Sequence, residues 1–523
     1  MTVPERPVPN LAHLVRAAGA SRPGSPAIVS GAATTTYAEL DRRSSRVGNA
    51  MAAAGVQAGQ RVAVAVGNRP EWFEAVLAAA KVGAAAVPIS PRLGAEELFD
   101  LVVDADPALL VVGPEYDPTV PMVHARIPDL VIWTLGGVAG TPGYEETVAG
   151  FPDSDPGGGG GPEDVALLLY TSGTTGSPRG VPLTNDNLLR FMAPVAERWR
   201  LSPASASLVA MPLWHRAGIG WALAGLHQEA RSVVLPSTDP GGIARALMDH
   251  GITNALLVPS VLRSLLAVPG VAPGRFPHLH TLVYGGSPAS EAVLRRAVEV
   301  LGCGFVQVYG LTETSGGVCQ LGPEDHDPAG RPGLLSSCGR PLPWVELRVA
   351  DPADGREVPS GDIGEVWVRS AQNMKRYWRR PEETAATLTA DGWLRTGDLA
   401  RVDSDGYVFI VDRLRDIIVT GGENVSPAEV ERVLARHPAV AEVAVIGVPD
   451  ERWGEAVKAL VVTRPGATFG DGDLVEFARS RLAGYKCPKS VEVVESLPRT
   501  QSGKLLRRRL RAPYWASTGR AVG

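Results

Sequence analysis

Short β-branched runs alternate with amphipathic stretches through most of the first four hundred residues. A chain patterned in this way buries both kinds of segment as parallel sheets covered by helices. The clearest instance is residues 61–66 (RVAVAV), read as a buried strand, followed by a helix over 71–82 and a second strand over 84–88. Together they form a βαβ unit with an expected right-handed crossover. The fold class is α/β, and 523 residues provide for several domain-sized units and a large core.

The rhythm changes near residues 412–416 (DRLRD), and the remainder reads as α+β. A helix over 427–436 is opened by Ser426 as N-cap and carries Val430, Val433 and Leu434 on one face. Strands are expected over 440–448, 457–462 and 490–494, with a helix over 473–482. Residues 153–164 (DSDPGGGGGPED) offer nothing to bury and read as a flexible exposed connection. They are not a phosphate loop, because Pro162 follows the glycines and no strand runs into them.

Composition narrows the function classes. Lys and Arg total 51 against 56 Asp and Glu, for a formal charge of -5, so no basic excess drives nucleic-acid binding and no nucleic-acid partner is expected. Cys303, Cys319, Cys338 and Cys487 contain no C-x-x-C pair and are too dilute for a disulfide scaffold, which fits a reducing compartment. No apolar run reaches the ~18 residues of a transmembrane span; residues 75–87 come nearest, and Lys81 interrupts them. A soluble cytoplasmic protein without a transmembrane segment is expected.

The most informative segment is residues 170–180, YTSGTTGSPRG, entered from an apolar strand over 165–169 and left toward a helix starting near Asn185. Backbone N–H groups and hydroxyls of Thr171, Ser172, Gly173, Thr174, Thr175 and Gly176 can surround phosphate oxygens without steric obstruction, and Arg179 adds a cation. A polar surface turn is the plain alternative. The G-x-x-x-x-G-K-[ST] pattern of a Walker loop is not satisfied.

This segment resembles the phosphate loop of the adenylate-forming (ANL) superfamily, which includes acyl-CoA synthetases, adenylation domains and luciferases. Further segments resemble that family's motifs in the same order, from about residue 30 to residue 507: MPLWHRAG (211–218), YGGSP (284–288), YGLTETSG (309–316), WLRTGD (393–398), DRLRDIIVTGGENVSP (412–427) and LPRTQSGKLL (497–506). The best resemblance is to bacterial fatty-acyl-CoA ligases.

The resemblance implies the roles of particular residues. His215 would sit at the mouth of the acyl pocket, with Gly285, Gly286 and Ser287 along adenine and the acid. Tyr309 would stack on adenine beside Gly310, Thr312 would give a hydroxyl to phosphate, and Glu313 a carboxylate oxygen to Mg²⁺. Asp398 would accept both ribose hydroxyls, and Arg413 would contact ribose or phosphate. Lys504 would bridge carboxylate and α-phosphate oxygens in the transition state. The implied domains are 1–413, binding ATP and acid, and a mobile 414–523 with a hinge near Arg415. After rotation about that hinge, Gly421, Gly422 and Asn424 would line the thiol's approach.

The implied reaction is ATP-dependent activation of a carboxylic acid, a fatty or aromatic monoacid being favoured, to an acyl-adenylate with pyrophosphate release, then transfer to CoA. ATP/AMP, Mg²⁺ and CoA are the implied cofactors. The alternative is a non-CoA acceptor: the thiol of a separate carrier protein, or an amine with nitrite as the activated acid. Three residues depart from the family pattern. Arg179 replaces lysine, and Val308 before Tyr309 narrows the pocket without supplying charge, which disfavours a dicarboxylic substrate. Arg216 reads as a solvated side chain, with a cation for a polar acid as the other reading.

Overall fold

The computed structural model describes residues 8–171, 178–287, 289–420, 423–450, 452–470, 472–500 and 504–515. The chain divides into two compact units: Met1–Ser336 with Arg369–Gly392, and Ser337–Val368 with Trp393–Gly523.

The first unit holds the expected α/β layers. Strands Arg61–Ala65 and Ala85–Pro88 run parallel in the register Val62 to Ala86, and helix Pro70–Lys81 connects them. Pro70 opens that helix at a position where its missing N–H costs nothing. Residues 72–81 are all buried, as befits a helix covered on every side. The six-stranded sheet runs in the order Val131–Thr134, Leu109–Val112, Arg61–Ala65, Ala85–Pro88, Val165–Thr171, Arg179–Thr184. Its last strand was not foreseen from the sequence. It pairs antiparallel with Val165–Thr171 and lies at the sheet edge, where Pro182 is tolerated despite lacking an N–H. A second sheet carries Gly316–Leu321, Gly304–Leu311, Thr281–Gly285, Asn254–Leu257, Ala206–Val209 and Arg231–Val234 as successive neighbours.

The glycine-rich stretch is exposed but anchored, contrary to the flexible connection expected. Asp155 accepts two hydrogen bonds from the Arg16 guanidinium, at 2.7 and 2.6 Å, and Asn10 donates to the Gly160 carbonyl at 2.9 Å. Lys81, fully buried, donates to Asp41 and to Ser45 and lies 3.5 Å from Asp155. A side chain at Gly158 would collide with the Lys81 carbonyl, so a glycine is needed there for close approach and not for looseness.

The second unit contains a four-stranded sheet, Glu346–Ala350, Gly364–Arg369, Leu394–Val402 and Val408–Arg413. It also contains the expected α+β region. The long antiparallel pair Val440–Asp450 and Gly454–Thr463 is joined by Ser490–Val493 in parallel and by Ile418–Thr420. Helix Pro427–Leu434 buries Val430 and Leu434 against Val445, Val457 and Val461, and Ser426 caps it by accepting from Glu429 N–H.

Candidate active site

In the first unit, Thr171 pairs with Arg179 and Tyr170 with Gly180, so the segment read as a phosphate loop is closed by two antiparallel strands. Ser172, Gly173, Thr174, Thr175 and Gly176 lie outside the described residues. The Arg179 guanidinium sits 4.9 Å from the centre of the Tyr377 ring and 3.4 Å from the Glu383 carboxylate.

Tyr377 is also the link to the next motif. Its hydroxyl donates to Glu313 Oε1 at 3.0 Å, and the Met374 N–H donates to the Glu313 carbonyl at 2.8 Å. Burial, followed by the Glu313 carboxylate, pushes the Tyr377 phenol well up, so it stays a donor at any working pH. Arg179 and Glu313, far apart in sequence, are therefore brought onto one aromatic ring. The same crossing segment anchors the strand after the loop through Trp378 N–H to the Gly180 carbonyl at 2.8 Å. Gln372 holds the turn after Glu313 by donating to the Thr314 and Gly317 carbonyls, both at 2.8 Å. Sequence reading missed Gln372 and Tyr377. Their only signal was a polar and aromatic run, QNMKRYW, without a repeat or spacing of its own.

Strand Gly304–Leu311 continues past Tyr309. It returns as Gly316–Leu321, with a bulge between Tyr309 and Gly310. Gly310 faces Gly317, and a Cβ on Gly310 would collide with the Gly316 carbonyl, so the chain passes that backbone closely only because residue 310 is glycine. The turn between them carries Thr312 and Glu313. It is closed by Thr314, fully buried, whose hydroxyl accepts from Leu311 N–H at 2.9 Å and donates to the Gly316 carbonyl at 2.8 Å. Gly285 ends the adjacent strand opposite Val308, and Gly286 turns the chain at φ +80°, leading to a partly buried Ser287. His215 is the N-cap residue of helix Arg216–His227. Arg216 is not in solvent: its guanidinium folds back to donate to the Ser315 carbonyl.

In the second unit, Asp398 and Arg413 stand directly opposite each other on neighbouring strands, with Arg413 Nε 2.9 Å from Asp398 Oδ1. Asp398 is 3 % exposed. Gly397 before it adopts φ +70° and donates its N–H to Glu365 at 3.0 Å, which re-aims the carboxylate. Asp412 accepts from Ser426 Oγ at 2.7 Å and from Ala428 N–H at 2.9 Å, tying the strand end to the first turn of helix Pro427–Leu434. Residues 414–416 form a single 3₁₀ turn. Gly421 and Gly422 lie outside the described residues, as do the side chains of Arg415 and Asn424.

Lys504 is exposed, on a loop closed by the Thr500–Lys504 and Leu506–Pro498 backbone hydrogen bonds. Just beyond it, Arg507 reaches Glu431 at 2.8 Å and Asp416 at 3.5 Å, joining that loop to the 414–416 turn. Burial pushes the Glu431 carboxyl up, with Arg507 opposing it.

No cluster of three metal-ligating side chains occurs among the described residues. A Mg²⁺ held by one carboxylate, nucleotide phosphates and water needs none, and Glu313 offers a partly exposed carboxylate for it. No helix among the described residues is long and apolar enough to cross a membrane.

Comparison with known proteins defines the class. Residues 15–378 match the family model described as AMP-binding enzyme, and residues 429–504 match that of its C-terminal domain. The chain is 39% identical over 511 residues to the fatty acid–[acyl-carrier-protein] ligase ScoC of Streptomyces coeruleorubidus, covering 96% of this chain and 95% of that one. It is 40% identical over 493 residues to a feruloyl-CoA synthase of an Amycolatopsis species, covering 94% and 96%. The crystal structure of ATP-bound MatB from Rhodopseudomonas palustris aligns with a TM-score of 0.89 at 31% identity, covering 98% of this chain and 100% of that one. The chain belongs to the AMP-binding enzyme family, within the adenylate-forming superfamily that includes the acyl-CoA synthetases.

Proposed function

We propose that this protein joins a carboxylic acid to a thiol in two steps, using ATP to form an acyl-adenylate with release of pyrophosphate and then passing the acyl group to CoA. The observation that carries the reading is the convergence of Arg179 and Glu313 on Tyr377, which sets a cation and an acidic oxygen on one support beside the closed end of the phosphate-loop hairpin.

Carboxylates are poor acyl donors because oxide is a poor leaving group. Activation at the α-phosphorus asks the protein for positioning and charge stabilisation and for no protein nucleophile. In this reading residues 171–176 and Arg179 hold the phosphates, and Thr312 gives a hydroxyl to them. Tyr309, Gly310 and Gly285 to Ser287 frame adenine and the acid, with His215 at the acid's entrance. Asp398 takes the ribose hydroxyls, with Arg413 beside it. Glu313 would hold Mg²⁺, which when bound neutralises phosphate charge. Lys504 meets the oxygens on which charge builds. The domains are 1–413 and 414–523, and rotation near Arg415 exchanges Lys504 for Gly421, Gly422 and Asn424 at the thiol's approach. The four cysteines, all free, and the need for ATP and CoA support a cytoplasmic setting for this reading.

Acid-dependent ATP–pyrophosphate exchange tests the first step. Exchange is expected with the wild type and abolished by Lys504→Ala; its absence with every acid of a short, long-chain and aromatic panel would overturn the reading. A carrier-protein thiol is the second acceptor reading, favoured by the name of the ScoC relative. Thioester formation with CoA alone selects the first.

A further inference from the structure

We propose that Arg216 is a specificity-determining residue that selects acids carrying a second anionic or strongly accepting oxygen group away from the reacting carboxylate. The inference deepens the adenylation reading above and rests on it.

Several features of Arg216 work against the fold. It occupies the first position of helix Arg216–His227, where a cation opposes the helix dipole. Its Nε is buried without a hydrogen-bond acceptor, and no carboxylate forms an ion pair with it among the described residues. Part of its surface stays open, yet desolvation still pushes the guanidinium down to about 10. Its hydrogen bond is to a neutral backbone carbonyl, that of Ser315. Ser315 is itself strained, at φ +50°, with a buried hydroxyl that also lacks a partner.

The slot that holds the guanidinium is nevertheless built for it. A Cβ at Gly220, one turn along the helix, would collide with Arg216 Nη1, and a Cβ at Gly316 would lie 3.1 Å from Nη2. Two glycines thus make room for a planar cation that no carboxylate among the described residues neutralises. Burying a charge without a counter-charge is unfavourable, and an incoming anion or acceptor relieves that cost.

The position indicates which substrate supplies it. Arg179 meets the turn at Glu313 through Tyr377, whereas Arg216 meets it at Ser315 and Gly316. The nucleotide already has a cation at its end of the turn, and the acid's reacting carboxylate must approach the nucleotide. The second cation is left for the body of the acid. Val308 supplies no charge there, so Arg216 provides what that position lacks and reopens the dicarboxylic class that Val308 had disfavoured.

The test compares acids in matched pairs, suberate with octanoate and 4-nitrobenzoate with 4-methylbenzoate, by kcat/KM for ATP–pyrophosphate exchange. The wild type is expected to favour the acceptor-bearing member of at least one pair by ~10-fold or more. Arg216→Met should bring that preference to within about twofold, chiefly through KM, and Arg216→Lys should restore part of it. Thermal unfolding separates this from a structural role: Arg216→Met should melt at or above the wild-type temperature, because it removes an unpaired buried charge. Absence of any preference in the wild type, survival of the preference in Arg216→Met, or a lowered melting temperature would overturn the proposal. Failure of every acid to support exchange would overturn the adenylation reading beneath it.

Discussion

Replacing Tyr377 by phenylalanine removes one oxygen and leaves the ring that supports Arg179. The lost group is buried, at 3 % exposure, and donates to Glu313 Oε1 at 3.0 Å. A hydrogen bond to an ionised acceptor contributes about 1.5–3 kcal/mol, and the lower end applies because Glu313 is partly exposed and water can replace the donor. Since 1.36 kcal/mol is about tenfold in rate, the expected loss in exchange kcat/KM is roughly 10-fold. If Glu313 meets Mg²⁺, part of that loss should appear as a higher Mg²⁺ concentration at half-maximal rate, because the carboxylate is no longer held in one orientation. Tyr377→Ala should lose much more. It also removes the face under Arg179 and leaves a cavity where Phe→Ala changes cost ~3–5 kcal/mol. The assay is ATP–pyrophosphate exchange over a Mg²⁺ titration, with thermal unfolding run on both variants. A Tyr377→Phe enzyme with wild-type rate and Mg²⁺ dependence would refute the idea that Tyr377 couples the two motifs.

Gly180→Ala places a Cβ 2.9 Å from Trp378 Cβ and 3.0 Å from Leu168 Cδ1, so unfolding should reveal a loss of ~1–3 kcal/mol and exchange should fall further as the segment carrying Tyr377 shifts. Asp398→Asn keeps the shape but removes the charge paired with Arg413; the KM for ATP should rise about tenfold or more, while the melting temperature moves by a few degrees. Asp155 gives a pH signature. Burial raises its carboxyl, but Arg16, the Gly157 N–H and Lys81 outweigh that and hold it down to about 2. Its contribution to stability is therefore present above about pH 4 and lost as pH falls toward 2. With 37% of the side chain exposed the contribution is under about 1 kcal/mol, and the wild type and Asp155→Asn should converge in urea melts over that window.

What could be read from the sequence was whatever a residue's identity alone decides. The βαβ start, with its strands at 61–65 and 85–88, follows from apolar runs that have no other place to go. The family resemblance followed from motifs whose residues have specific chemistry and keep one order along the chain, from YTSGTTGSPRG at 170–180 to LPRTQSGKLL at 497–506. What escaped was decided by contacts between distant segments. Strand Arg179–Thr184 contains a proline and pairs on one side only, so its composition alone resembled a loop. Strand Gly304–Leu311 runs through Tyr309 to pair with Gly316–Leu321, and no local pattern reports that Gly310 and Gly317 will face each other. Residues 371–378 support both the turn at Glu313 and the strand at Gly180 largely through backbone N–H groups, which almost any side chain would permit. Only the Tyr377 hydroxyl and the Gln372 amide make that segment particular, and neither has meaning until Glu313 and Thr314 are beside it. Arg216 is the sharpest case. In sequence an arginine beside a histidine is a surface cation; only the glycine slot, the Ser315 carbonyl and the Nε without an acceptor among the described residues show that the fold draws this charge inward.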